Sequence, residues 1–151
     1  MTDHQLMQEA IAQANAALAL DEVPVGSVVF HIPTGKIVGR GFNRRESDAD
    51  PTAHAEILAL REAAITMQTW RLDYCAIAVT LEPCPMCAGA AWASRIDRLV
   101  YGAPNLDAGA TGSVYNLATD PRLNHEFEVI GGVRAEESAR LLTDFFAERR
   151  A

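Results

Sequence analysis

The chain has 151 residues and a formal net charge of −7, with 49% hydrophobic and 22% charged residues. These values are typical of one globular domain and exclude a disordered or collagen-like chain. We therefore expect a single domain over residues 1–151. No apolar run approaches the roughly eighteen residues of a membrane span, and the first residues lack the pattern of a signal peptide. The expected location is the cytoplasm.

The first half of the chain predicts a helix, a hairpin and a second helix. Apolar residues recur at helical spacing over residues 3–19. A strand is predicted over residues 25–30, and a turn at Pro33 leads into another strand over residues 36–39. The polar segment that starts at Asn43 is a predicted loop into the second helix, which ends near Met67.

The second half alternates strands with helices. Residues 75–80 form a short apolar and β-branched run that predicts a central strand, and residues 98–101 and 126–130 predict two more. A helix separates the first two of these strands, and a last helix is predicted over about residues 135–149, with Leu141, Leu142, Phe145 and Phe146 on one side. This order predicts an α/β fold with one mixed sheet of five strands and helices on both faces.

Two short motifs, each at the start of a predicted helix, contain the candidate metal ligands. One contains His54, and the other contains Cys84 and Cys87 at C-x-x-C spacing. Cysteines three residues apart lie on one helix face, and a helix start favours thiolates. Three such ligands leave the fourth position of a tetrahedral zinc ion for water, which is typical of a catalytic site. The alternative is that Cys84 and Cys87 are simply buried and that His54 is unrelated to them. The third cysteine, Cys75, is predicted to be a buried small side chain.

Glu56 follows His54 by two residues, and side chains at this spacing do not share a helix face. One neutral histidine and two thiolates already balance the charge of Zn²⁺. We therefore expect Glu56 to lie beside the metal, where a carboxylate can take a proton from a bound water and pass it on. The alternative is an exposed helix carboxylate.

The pattern H-x-E followed by P-C-x-x-C is the signature of zinc nucleobase deaminases. The sequence resembles the bacterial tRNA-specific adenosine deaminases of the cytidine deaminase-like superfamily. The resemblance extends over nearly the whole chain, in residues 22–26, 43, 50–57, 80–90, 94–96, 109–113 and 141–146. It implies a cytidine deaminase-like three-layer α-β-α sandwich, one zinc ion per subunit, and hydrolysis of adenosine to inosine at wobble position 34 of tRNA by zinc-activated water.

The resemblance also implies partners and single-residue roles. Asn43 matches the residue that hydrogen-bonds the flipped base, although a turn asparagine is the alternative. The implied partners are a tRNA anticodon loop and a second copy of the chain, with no membrane. Arg149 and Arg150 match a basic tail near RNA, but a favourable charge at a helix C-terminus is the alternative. Trp70 and Trp92 are predicted to be packing residues.

Two features leave the substrate open. The net charge gives no overall basic surface for RNA. Family members commonly have Asp and Lys where this chain has Asn105 and Asp107. The nearest alternative is a free nucleobase or nucleoside deaminase such as a guanine deaminase, which shares the zinc motifs. A non-catalytic zinc protein that supports a partner subunit is a second alternative, and such a protein would not need Glu56.

Overall fold

The structure is a computed structural model that describes residues 1–150, with the backbone alone at Arg150. The expected role of the Arg150 side chain therefore lies outside the described residues. The elements follow one another as α1 (Asp3–Ala19), β1 (Gly26–His31), β2 (Lys36–Phe42), α2 (Ala55–Met67), β3 (Cys75–Leu81), α3 (Pro85–Ala93), β4 (Arg98–Ala103), β5 (Glu128–Ile130) and α4 (Ala135–Arg150).

The five strands form one mixed sheet in the order β2-β1-β3-β4-β5. The predicted hairpin is present, because β1 pairs antiparallel with β2, and β1 also pairs antiparallel with β3. The pairs β3–β4 and β4–β5 are parallel. The predicted central strand is confirmed as β3, and six of its seven residues are buried. Strand β5 begins later than predicted because the N–H of Phe127 donates to Ala118 O in the preceding loop.

Hydrophobic cores cover both faces of the sheet. Since successive side chains of a strand point to opposite faces, Val29 and Ile77 pack with Leu60 of α2, whereas their neighbours Val28 and Ala78 pack with Leu6 of α1. Helix α3 contributes to the first core and α4 to the second. The three-layer arrangement inferred from the resemblance is therefore confirmed.

Helix α2 lies close to the sheet because β2 has glycines where they meet. A Cβ atom at Gly39 would overlap the backbone of Ala59, and a Cβ at Gly41 would overlap the backbone of Ala55. Without these side chains the helix axis approaches the strand directly. This close packing fixes the start of α2, where His54 lies, relative to the sheet.

Two expectations about aromatic residues need correction. Phe145 and Phe146 were expected on one side of the last helix, but Phe145 is buried whereas Phe146 is 44% exposed. Trp92 packs against the core, as predicted, whereas Trp70 is 62% exposed and is not a core residue.

Within the described part of the chain, no helix has the length and apolar character needed to cross a membrane.

Candidate metal centre and active site

The two predicted helix starts are present, but the ligands occupy different positions from those expected. His54 and Cys84 precede the helices as extended N-cap residues of α2 and α3, rather than lying in their first turns. Pro85 is the first helical residue of α3, a position that suits proline, and a residue before proline disfavours the helical conformation. Because α2 begins at Ala55, Pro51 lies before the helix. It follows Asp50, whose side chain accepts two hydrogen bonds from Thr52 in a turn.

The three candidate ligands converge at these helix starts. The Nδ1 atom of His54 lies 3.7 Å from Cys84 Sγ and 3.5 Å from Cys87 Sγ. The three ligand atoms all lie within 4.8 Å of one another. A tetrahedral ion bound about 2.0 Å from nitrogen and about 2.3 Å from sulfur separates these atoms by about 3.5 Å. The observed spacing and the donor types therefore fit zinc.

The protonation of the two cysteines is coupled. The hydrogen bond from Cys87 has the largest effect on the pKa of Cys84. Together with a hydrogen bond from His54 it outweighs burial and lowers this pKa to about 4. Donating that hydrogen bond, together with burial, raises the pKa of Cys87. The hydrogen bond with Cys84 is the main reason that the pKa of His54 lies above its ordinary value. Without metal the cysteines thus share one negative charge, and binding an ion displaces the remaining protons.

Glu56 is buried, with 4% of its surface exposed, and lies in the first turn of α2. Burial raises the pKa of this carboxyl to about 7, although the charge of His54 acts in the opposite direction. A carboxyl with a pKa near neutrality can both accept and release a proton during a reaction. The exposed-carboxylate alternative is therefore wrong for Glu56.

These groups open onto a cavity of about 230 Å³. Two valines and Leu81 give it apolar walls, while amide and charged side chains supply polar contacts at the same surface. Its lining residues are Val23, Val25, Asn43, Arg45, His54, Ala55, Glu56, Leu81, Glu82, Cys84, Asn105 and Phe146. A small apolar cavity with a few convergent polar groups is suited to a planar ring with polar edges.

Asn43 has the hydrogen bonds of a turn asparagine and also lines the cavity. Its Nδ2 donates to Val23 O at 3.2 Å, and its Oδ1 accepts from the N–H of Arg45 at 3.1 Å, as in a turn. The same side chain lines the cavity. Because an amide carries two N–H donors and a carbonyl with two lone pairs, a ligand can still bind to it.

Two buried carboxylates beside the cavity were not identified as functional from the sequence. Glu22 and Glu82 are each 1% exposed. Glu22 accepts from the N–H groups of Glu46 and Ser47, in the loop after Asn43. Glu82 accepts four hydrogen bonds from the loop after β4. The position of Glu82, just after a buried central strand, was the available signal, since ligands bind at the carboxyl ends of such strands.

The end of α4 contributes to a second cavity of about 530 Å³ beside the first, which shares Val23, Asn43, Arg45 and Phe146 with it. Arg149 lines this second cavity. Its guanidinium contacts Asp21 Oδ1 at 2.6 Å and lies 4.3 Å from the centre of the Phe145 ring. Two arginines therefore face the entrance region, although the protein is acidic overall.

Comparison with known proteins identifies the family. Residues 1–103 match the family model described as the cytidine and deoxycytidylate deaminase zinc-binding region. The chain is 47% identical over 148 residues to a tRNA-specific adenosine deaminase of Haemophilus influenzae, covering 98% of this chain and 85% of that protein. The chain belongs to this deaminase family, among the tRNA-specific adenosine deaminases. The resemblance inferred from the motifs is thereby confirmed.

Other proteins similar to this chain differ in length and in the activity for which they are named. A tRNA(Ile)-lysidine synthase of Deinococcus radiodurans is 52% identical over 147 residues, and the chain covers 97% of its own length but only 25% of that protein. A structure from work on A-to-I editing by tRNA:A34 deaminases matches 91% of this chain and 99% of that one, with 38% identity and a TM-score of 0.86. Guanine deaminase from Nitrosomonas europaea matches 95% and 84%, with 27% identity and a TM-score of 0.80.

Proposed function

We propose that this chain is a zinc-dependent deaminase that hydrolyses adenosine to inosine at wobble position 34 of tRNA. The main support is the convergence of His54, Cys84 and Cys87 beside a cavity that His54, Cys84 and buried Glu56 line. The 47% identity to a tRNA-specific adenosine deaminase supports the choice of substrate. Residues 1–151 would form one deaminase domain, acting in the cytoplasm on its tRNA.

In this proposal His54, Cys84 and Cys87 hold one zinc ion per subunit. Zinc in such a site lowers the pKa of water to about 7 and so supplies a nucleophile at neutral pH. Glu56 would pass one proton from the attacking water to the ring nitrogen, and a second proton, from the hydroxyl group formed at C6, to the departing amine. Water adds at C6, the C6–N bond breaks, and ammonia and inosine are the products.

Asn43 and the cavity walls would bind the base. The Asn43 amide is held by Val23 O and the N–H of Arg45, so its remaining polar atoms have a fixed direction. Apolar walls from Val23, Val25 and Leu81 suit the faces of a purine ring. A base buried in such a cavity must leave its stack, which costs least in a single-stranded loop.

The anticodon loop and a second copy of the chain are the proposed partners. Arg45 and Arg149 line the second cavity and would contact phosphates there, Arg149 by exchanging its ion pair with Asp21 for one with RNA. The proposed homodimer would use an apolar groove between α2 and α3, in which Trp70 is exposed and Ile57 is partly exposed.

A guanine deaminase is the second candidate function, because the fold matches that enzyme from N. europaea with 27% sequence identity and a TM-score of 0.80. The test uses the zinc-loaded protein and an anticodon stem-loop with A34, digested to nucleosides after incubation. We expect inosine, and none from a matched stem-loop with G34 that keeps every other adenosine. Intact A34 together with ammonia release from guanine would contradict the proposal.

A further inference from the structure

The carboxylate of Glu82 lies at the end of the central strand β3 and is nearly inaccessible to solvent, with 1% exposed. Its Oε1 accepts from the N–H of Asn105 at 3.1 Å and from the hydroxyl of Ser113. Its Oε2 accepts from the N–H of Thr111 at 3.2 Å and from the N–H of Ser113 at 3.0 Å. All four donors belong to one loop, residues 105–113, which follows β4.

We propose that Glu82 is a positioning residue that fixes the 105–113 loop as a wall of the substrate cavity. The identity of the substrate rests on the function proposed above, but the effect on the loop does not. Asn105, the first residue held by Glu82, lines the cavity, as Glu82 does. A loop released from Glu82 would therefore change the shape of the cavity and weaken substrate binding.

The hydrogen-bond pattern requires an ionised carboxylate. Each oxygen of Glu82 accepts two hydrogen bonds, and a carboxylate offers about four lone-pair positions with no hydrogen of its own. An amide at this position would direct N–H groups towards two of the four donors.

The loop itself is built to admit this carboxylate. A Cβ atom at Gly109 would overlap the carboxyl group of Glu82 and the carbonyl of Asn105. The N–H of Gly109 also donates to Asn105 O at 2.8 Å, which closes the turn. Glycine at this position therefore leaves the space that the Glu82 side chain occupies.

The same loop is connected to the segment that leads to the metal ligands. The N–H of Ala110 donates to Pro83 O at 2.8 Å, one residue before Cys84. On the cavity side, Asn105 Oδ1 accepts from the N–H groups of Asp107 and Ala108, so the Asn105 side chain is held as well. Glu82 thus fixes a rigid turn whose polar side chain borders the base-sized cavity.

The first test compares Glu82→Gln with wild type by hydrogen exchange and mass spectrometry of the zinc-loaded proteins. We expect amide exchange in residues 105–113 to be about tenfold faster or more, because a hydrogen bond to a charged acceptor is lost. Zinc content and exchange in α1 should be unchanged. Exchange of this loop at the wild-type rate would overturn the proposal, and this readout needs no substrate.

The second test measures kinetics with whichever substrate the wild-type protein deaminates. We expect KM for Glu82→Gln to rise about tenfold or more with kcat within about threefold, since binding rather than proton transfer is affected. Glu136→Gln is the control with the same chemical change. Glu136 is exposed, and it lies about 15 Å along α4 from Phe146, the residue of that helix that lines the cavity. A fall in kcat with unchanged KM would contradict a positioning role.

Gly109→Ala tests the same relationship while all four donors and the carboxylate remain. We expect the same faster exchange and the same rise in KM, because the added Cβ displaces Glu82 from the loop. Ser113→Ala removes only one side-chain donor, so its effects should be smaller in the same direction. If Glu82→Gln fails to fold, these two variants decide the matter, and wild-type exchange and KM in both would overturn the proposal.

Discussion

The Sγ atom of Cys87 lies 3.5 Å from Nδ1 of His54, although 33 residues separate them in the chain. Cys84 Sγ lies 3.7 Å from the same nitrogen. Two different helix starts are thus aimed at one point. The chemical states of these sulfurs provide a direct check.

The three cysteines should differ in reactivity once metal is removed. In chelator-treated native protein at pH 7, we expect one fast thiol, Cys84, whose pKa is lowered to about 4 by its hydrogen bonds from Cys87 and His54. Burial raises the pKa of Cys75 to about 11, so that thiol should react only after unfolding. Titration with a chromogenic disulfide checks this order. Rapid reaction of Cys75 in the native protein would be inconsistent with it.

The alkylation of Cys84 should also have a distinctive pH dependence in the metal-free protein. Because its pKa is lowered, the thiolate is present at neutral pH and disappears only as the pH falls through about 4. An ordinary thiol would lose reactivity below about pH 8.5. Rates of iodoacetamide labelling at Cys84, followed by peptide mass spectrometry, measure this. A midpoint near 8 would show that the hydrogen bonds do not stabilise the thiolate.

Glu56→Gln should abolish turnover without loss of metal. Removing a positioned general acid–base group costs about 10²- to 10⁴-fold in rate. The substitution keeps the side-chain size at a buried position, so the fold should be retained. Turnover and zinc content are measured together, with Glu136→Gln as the control for loss of one carboxylate. Undiminished turnover would mean that another group transfers the proton.

Asn43 should be needed for both the loop and the substrate. Asn43→Ala removes the acceptor for the N–H of Arg45 and the donor to Val23 O. Asn43→Asp keeps the acceptor alone. We expect both variants to lose about 10-fold or more in kcat/KM, because a buried hydrogen-bond partner is left unpaired. The thermal unfolding temperature of the Asp variant should be closer to that of the wild type. Full activity of either variant would show that the Asn43 side chain does not take part in substrate binding.

The close packing of α2 on β2 should be sensitive to one methyl group. Gly41→Ala would force the Cβ into the backbone of Ala55, next to His54, and should destabilise the protein by about 1–3 kcal/mol or more. Gly89→Ala is the matched control in α3, since a Cβ there meets nothing within 4 Å. Alanine in a helix is favoured over glycine by up to about 1 kcal/mol, so this control should be neutral or stabilising. Chemical denaturation of both variants measures the difference.

Much of the fold could be predicted from local patterns. The period of the apolar residues gives α1 and α2, and the apolar run at residues 75–80 gives the central strand. The start of β5 was misplaced because the N–H of Phe127 donates to a loop residue, Ala118, and no local pattern reports such a pairing. Phe146 could not be separated from Phe145 for a similar reason, because exposure depends on what the rest of the chain leaves uncovered.

The metal ligands were predictable because their chemistry and spacing are unusual together. The carboxylates of Glu22 and Glu82 were not, because a single glutamate near a proline has no distinctive pattern. Their partners lie 23 to 31 residues away for Glu82 and 24 to 25 residues away for Glu22. Only the folded chain brings these donors to the carboxylates. The same holds for Gly109, whose missing side chain matters only beside Glu82.

The central claim is that this acidic protein acts on adenosine in RNA rather than on a free base. The most direct measurement is a competition in which the zinc-loaded protein receives an A34 anticodon stem-loop and guanine at equal concentrations, with inosine and xanthine followed in the same reaction. We expect inosine to form at position 34 while guanine is unchanged. Xanthine formation with the stem-loop intact would contradict the account and identify a free-base deaminase.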